Sequence, residues 1–334
     1  MKLAYRARLR HRTVAVLVAA TLVGSCVSAC GASVGTPSPS QSSASASLSS
    51  ATASIAPDIA PSPTRPTLPP AQLSYVVAAT SCDAGVVPGA SFPPPAKSTP
   101  APRAKPLTLH VPIIEYHRIV PLTEAGRSLP GLTMPPEVFN AQMDALYTAG
   151  WHTITLATLA DDLWAGVTPP SHSFVVTIDD GWWDSYAYAY PILARHGYVA
   201  TFFVIADRIG QSGFMGTGQI QALAEAGNEI GDHTVHHDVL PALQPKALTY
   251  EIDSGAATIA AVTGRWPETL AYPSGKVDAQ VIAAAAACKS LRMGVAEGNG
   301  GPETWVNRYR NSRVEVAPDR MPADLLAQVQ HAGR

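Results

Sequence analysis

From Leu107 onward the chain repeats one pattern: a short apolar run, a turn, then a longer amphipathic run that closes near a glycine. Apolar runs read as strands at Val111–Tyr116, His152–Thr155, Ser173–Asp179, Ala200–Ile205, Glu229–Gly231, Thr269–Tyr272 and Arg292–Ala296. Helices are expected at Pro136–Ala149, Leu156–Trp164, Trp183–His196, Gly218–Ala226, Pro245–Val262 and Asp278–Cys288. Gly150, Gly197, Gly227 and Gly264 stand where those helices should stop. Strand and helix in strict alternation imply a parallel sheet with helical crossovers, as an open sheet or a barrel. Either way, function gathers at the C-terminal ends of the strands.

The first 106 residues have a different texture, in which only Leu73–Val77 and the stretch around Cys82 are apolar enough to dock on that core. Lys2 to Arg12 is basic and Val14 to Val27 nearly all apolar. About 14 such residues suit a signal-peptide core and fall short of the ~20 that span a bilayer. The run closes on Val27-Ser28-Ala29-Cys30, which resembles a bacterial lipobox, with Val23-Gly24-Ser25-Cys26 a weaker second. Residues 1–29 are therefore expected to be a removed signal and Cys30 the lipidated first residue, placing the chain outside the cytoplasm on a bacterial cell membrane. An ordinary secreted form is the alternative. Of residues 31–70, 32 of the 40 are Ser, Pro, Ala, Thr or Gly, too few apolar groups to offset ordering entropy. Residues 30–106 thus read as a disordered, lipid-anchored tether, reaching roughly 45–50 Å. With 23 cationic against 25 acidic residues, no basic surface argues for nucleic acid. A monomer is expected.

Two clusters fall at strand ends. Phe174-Val175-Val176-Thr177-Ile178 leads into Asp179-Asp180-Gly181. Two adjacent carboxylates there can take different roles, one binding a metal and the other free as a base, though a bare turn with capping acids has the same letters. Asp232-His233-Thr234-Val235-His236-His237-Asp238 follows the strand Glu229–Gly231. Two histidines four apart can share an ion, and imidazole with carboxylate suits zinc, with a position left open for water. His236 is the odd one out, a support or a solvent residue.

In order, these motifs resemble those of the polysaccharide deacetylases of carbohydrate esterase family 4, which share the nodulation-factor deacetylase domain. Val111-Pro112-Ile113-Ile114-Glu115-Tyr116-His117-Arg118-Ile119 is similar to the family's opening strand, and Thr177-Ile178-Asp179-Asp180-Gly181 to its TFDDG. His233-Thr234 through His237 resembles its H(S/T)xxH, and Leu270-Ala271-Tyr272-Pro273-Ser274-Gly275 stands in place of its third motif. The resemblance covers about residues 107–316. It implies a distorted (β/α)7 barrel over a catalytic domain, 107–334, and metal-dependent deacetylation of a polysaccharide, one containing N-acetylglucosamine in the envelope or an exopolysaccharide. Carried over by residue, Asp180, His233 and His237 would hold one divalent ion, zinc foremost. Asp179 would be the base, and a backbone N–H at Ser274 would face the oxyanion.

Three departures bear on that carry-over. Many members have Arg at the place of Ala271, orienting the base, and many take a general-acid His from a late LxxxH motif; after the third motif this chain has only His331. Asn307-Arg308-Tyr309-Arg310-Asn311-Ser312-Arg313-Val314-Glu315-Val316 instead resembles the Arg-containing terminal segment of poly-N-acetylglucosamine deacetylases. His117, just past the first strand, is the acid candidate. A non-catalytic glycan-binding lipoprotein on the same barrel is the competing function, and a hydrolase of small amides a third. Trp182, Trp183 and Trp305 are candidate sugar platforms, with plain packing the alternative. With Cys26 removed and Cys30 lipidated, Cys82 and Cys288 are the remaining pair, expected to be bridged in an oxidising compartment.

Overall fold

The computed structural model describes residues 107–126 and 129–334. The signal, lipobox, tether and Cys82 lie outside the described residues. The main sheet has nine parallel strands: His152–Thr153 pairs with Ser173–Phe174 off the main path, and the other eight are β1 (Ile113–Tyr116), β2 (Ser173–Ile178), β3 (Thr201–Val204), β4 (Glu229–Asp232), β5 (Thr269–Ala271), β6 (Met293–Ala296), β7 (Asn311–Ser312) and β8 (Val314–Glu315). Their spatial order is β7-β6-β5-β4-β3-β2-β1-β8. The two outer strands are one segment interrupted by a single residue, Arg313. Its first half pairs with β6 through Val295 and Asn311, and its second with β1 through Ile114 and Val314. The segment therefore joins both open edges and makes a seventh stave. The alternation resolves as the distorted (β/α)7 barrel rather than an open sheet.

Strand alternation divides the side chains between the lumen and the outer shell. Ile113, Val175, Phe203, Ala271, Met293 and Val295 form one inner cluster. Gly231 is required there, because a Cβ at that position would lie 2.4 Å from the Phe203 ring. The same cluster holds Leu156, Leu159, Ala160 and Leu163 of α2 (Leu156–Ala165). This helix crosses the N-terminal mouth of the barrel rather than covering its flank. The Leu156 N–H donates to Thr201 Oγ1 and the Ala157 N–H to Glu229 Oε2, at the first residues of β3 and β4. With that mouth closed by apolar side chains, the opposite mouth is the one left for polar chemistry.

The outward residues Ile114, Tyr116, Val176, Ile178, Phe202, Val204 and Ile230 pack with Phe139, Met143 and Leu146 of α1 (Pro136–Thr148). Ile192 and Leu193 of α3 (Tyr190–Arg195) and Ile220 and Leu223 of α4 (Thr217–Glu225) join that cluster. Leu270, Tyr272 and Ala296 pack with α5 (Pro245–Thr263) and α6 (Ala279–Ala287). Gly264 ends α5 in the left-handed region, φ 71°, and its N–H bonds the Ala260 carbonyl. Among the described residues no helix is long and apolar enough to cross a membrane.

Two elements differ from expectation. The single helix expected over Trp183–His196 begins as a π-helical segment, Ser185–Ala189, before α3. Pro191 has no N–H to give and interrupts the i→i−4 ladder at that point. A further helix, α7 (Pro322–Ala332), is absent from the expected set; it buries only Leu325 and Val329. Cys288 is buried and disulfide-bonded. Its partner lies outside the described residues, which contain no other cysteine.

Candidate active site

The Asp179 N–H bonds the Tyr116 carbonyl and so continues the β1–β2 ladder. Asp179 therefore shares the inward face of Val175 and Thr177. Asp180 and Gly181 follow with φ 75° and 76°. Glycine is needed second, since besides this φ a Cβ would lie 3.2 Å from Val204. This tight left-handed step gives adjacent carboxylates different surroundings.

Asp179 faces Arg313 in a two-pronged ion pair: Nη1 donates to Oδ1 and Nη2 to Oδ2, both at 2.8 Å. The guanidinium also donates to Thr177 Oγ1 at 3.1 Å and to Glu115 Oε1 at 2.8 Å. All four side chains are buried. Burial alone would push the Asp179 carboxyl up, but the charges of Arg313 and His233 outweigh it and hold it below the usual carboxylate range. Glu115 goes the other way: burial raises it, Arg313 opposing and Asp179 adding to the rise. One cation shared by two acids thus keeps the one nearer the cluster ionised.

Asp180 addresses a different set. Its Oδ1 lies 3.5 Å from His233 Nε2 and 3.7 Å from His237 Nε2. Its Oδ2 accepts the indole N–H of Trp182 at 2.8 Å. Burial disfavours its charge, but hydrogen bonding with His233 and Trp182 and the nearby imidazoles hold it well below the carboxylate range. The His233 Nδ1–H donates to the Ala271 carbonyl at 2.8 Å, which aims Nε2 at Asp180. Burial pushes the His233 imidazole down, and Asp180 and Asp179 more than restore it. His237, at φ 67°, is anchored by its N–H to Thr234 Oγ1 at 3.1 Å. Burial and the neighbouring His233 lower it. His236 turns away: its Nδ1 pairs with Glu251 Oε1 at 2.6 Å, and Glu251 Oε2 accepts the Val235 and His236 N–H groups.

Asp180, His233 and His237 each present one ligand atom, all within 4.8 Å of one another. Bonds of ~2.0–2.2 Å in a tetrahedral set place ligand atoms about 3.4 Å apart, close to the 3.5 and 3.7 Å found. The donor chemistry, one carboxylate and two imidazoles, fits a divalent ion with a side left open. The expected base and ligands are thus brought together. His117 is half-buried beside them, its Nε2 3.8 Å from Glu115 Oε1, beyond hydrogen-bond reach. Ser274 is exposed in the turn after β5, three residues past Ala271, with φ 53°. Trp305 leaves the set, since it packs against Trp164 of α2 and Arg308, with the cluster at the opposite mouth.

Sequence reasoning flagged the Arg-containing segment Asn307–Val316 without choosing Arg313 within it, and it did not single out Glu115. An acid inside the apolar run Ile113-Ile114-Glu115-Tyr116 was the available signal for the second, because a charge in a buried strand needs a partner.

A family model for polysaccharide deacetylase matches residues 166–291, which contain Asp179, Asp180, His233 and His237. The chain is 29% identical over 208 residues to the Bacillus subtilis (strain 168) protein named "Putative polysaccharide deacetylase YxkH", covering 62% of this chain and 72% of that one. Among solved structures, the Streptococcus pyogenes deacetylase PplD, in complex with acetate, superposes with TM-score 0.62 at 24% identity, over 67% of this chain and 99% of its own. A polysaccharide deacetylase from Bacillus cereus superposes with TM-score 0.58 at 21% identity, over 66% and 68% of the two chains. The motifs, the barrel and the family match over residues 166–291 agree in their likeness to polysaccharide deacetylases, and together they support a hydrolase of that type.

Proposed function

We propose that the domain hydrolyses acetyl groups, N-acetyl of glucosamine foremost, from a polysaccharide of the cell envelope or an exopolysaccharide, with one divalent ion, zinc by its donor set. The observation that carries this reading is a buried Asp179 clamped by both Arg313 Nη groups beside three convergent ligand atoms. A pure glycan binder has no use for a base held in that state. Asp180, His233 and His237 would hold the divalent ion, whose charge would oppose a developing oxyanion and make water more acidic. Asp179 then accepts the proton of the attacking water. Arg313 occupies both of its oxygens in one plane and so fixes which lone pairs face the substrate. In this reading the Ser274 N–H would donate to the oxyanion, and His117 would return a proton to the leaving amine. Acetate release from chitooligosaccharides and peptidoglycan by the zinc-loaded protein tests the reading. His237→Ala is expected to lose both the ion, by elemental analysis, and the acetate. Equal metal in both proteins, or no acetate from any acetylated glycan, would sink it.

We further propose that Cys30 carries a lipid that holds the domain on the outer face of the bacterial membrane. The basic, apolar and small-residue-plus-Cys order of residues 2–30 supports this. Detergent-phase partition checks it: the wild type should enter the detergent and Cys30→Ser should not. A wild type that stays aqueous refutes the anchor.

A further inference from the structure

Trp182 is the residue after the Asp-Asp-Gly step, and three independent restraints fix its indole. Its backbone forms an antiparallel bridge with Phe214, with the Trp183 N–H donating to the Gly213 carbonyl and the Met215 N–H to that of Gly181. Its ring stacks on Phe214, with centroids 4.3 Å apart and planes at 21°. The Arg118 guanidinium lies 4.7 Å from the ring centroid. Arg118 is itself immobilised by two bonds to Asp184 Oδ2 and one to the Ala125 carbonyl. The outcome of this clamping is one directed bond, Nε1–H to Asp180 Oδ2 at 2.8 Å.

An indole nitrogen only donates, so it favours the ionised carboxylate and cannot satisfy a proton on that oxygen. With Oδ2 engaged, Oδ1 is the atom that faces His233 and His237. We propose that Trp182 is a positioning residue for the metal-binding carboxylate, holding Asp180 so that Oδ1 is its ligand atom, rather than a platform for sugar. Packing on Phe214 and Arg118 is then the means, and the N–H the purpose. The inference rests on the metal reading of the Asp180–His233–His237 cluster.

Zinc affinity, measured by competition with a chromophoric chelator, separates the two. Wild type should bind one equivalent. Trp182→Phe, which keeps a ring on Phe214 and removes only the donor, should bind about 10–100-fold more weakly. Phe214→Leu, which removes the stack and keeps the N–H, should keep wild-type affinity even with a lower Tm. Unchanged affinity in Trp182→Phe overturns the proposal and leaves the metal reading standing. Equal losses in the two variants also overturn it, since ring packing would then be the cause. A wild type that binds no zinc overturns both readings. Should Trp182→Phe fail to fold, the wild-type protein gives the answer: the Trp182 Nε1–H resonance should shift during a Zn2+ titration and saturate at one equivalent. A resonance that does not move overturns the proposal.

Discussion

Asp179→Asn is expected to keep its divalent ion and to lose about 10²–10⁴-fold in turnover. The substitution is nearly isosteric, and its amide oxygen can still accept one Arg313 N–H, so the fold and the neighbouring cluster should survive, with a lower Tm because the amide NH2 faces the second Arg313 donor and the buried pair loses one charge. The amide cannot take a proton from water, and that is the expected cause of the lost turnover. Metal content by elemental analysis and acetate release, measured on the same preparation, separate this outcome from the one for His237→Ala, which should lose both. An Asp179→Asn protein with wild-type turnover would place the base elsewhere.

Arg313→Ala should be damaging in two ways. It leaves the Asp179 and Glu115 carboxylates buried with their shared cation gone. Removing one partner from a buried ion pair costs about 3–5 kcal/mol, on the order of 10 °C in Tm for a domain of this size. Arg313→Lys keeps a charge but presents a single ammonium in place of a planar fork, so it cannot serve both oxygens of Asp179 and Glu115 at once. That variant is expected to fold, with lower kcat and an altered pH profile. In the native protein, Arg313 depresses the Asp179 carboxyl below its usual value, against burial. The resulting stability is present above the unfolded carboxylate value of about 3.9 and fades as pH falls through the folded one. Weaken the guanidinium contact and burial raises the carboxyl, so the acid limb of kcat/KM moves to higher pH. Activity near pH 6 should therefore fall more than activity near pH 8. A lysine variant with the wild-type pH profile and Tm would show that Arg313 neither orients nor ionises the base.

The sequence disclosed the site unevenly, for physical reasons. Asp179, Asp180 and His233 sit directly after strands and His237 follows His233 by four residues, so local patterning places the cluster at the C-terminal rim. Arg313 acts 134 residues away from Asp179, from a segment whose strands are two residues each. Such short pieces have no period to read. Ala271, the position the resemblance marks for a base-orienting arginine, gave no pointer to Arg313, which reaches Asp179 from the segment between β6 and β1. Helix α2 was legible as a helix, but an apolar stripe does not say whether it covers a flank or closes a mouth. Leu156 and Ala157 settle that through their bonds to Thr201 and Glu229. Helix α7 escaped because two buried residues four apart, Leu325 and Val329, make too faint a stripe.

The segment Asn311–Glu315 lies against β6 and β1 at once, with Arg313 between its halves. Synthesis delivers the chain from its N-terminus, so Asp179, Asp180, His233 and His237 all exist before Arg313. An unfinished molecule has two raw sheet edges, the kind of surface that recruits other chains, and beside them a carboxylate without its counter-charge. The same few residues remove both hazards in one docking event. Closing the barrel and giving the buried Asp179 its counter-charge are thereby one event.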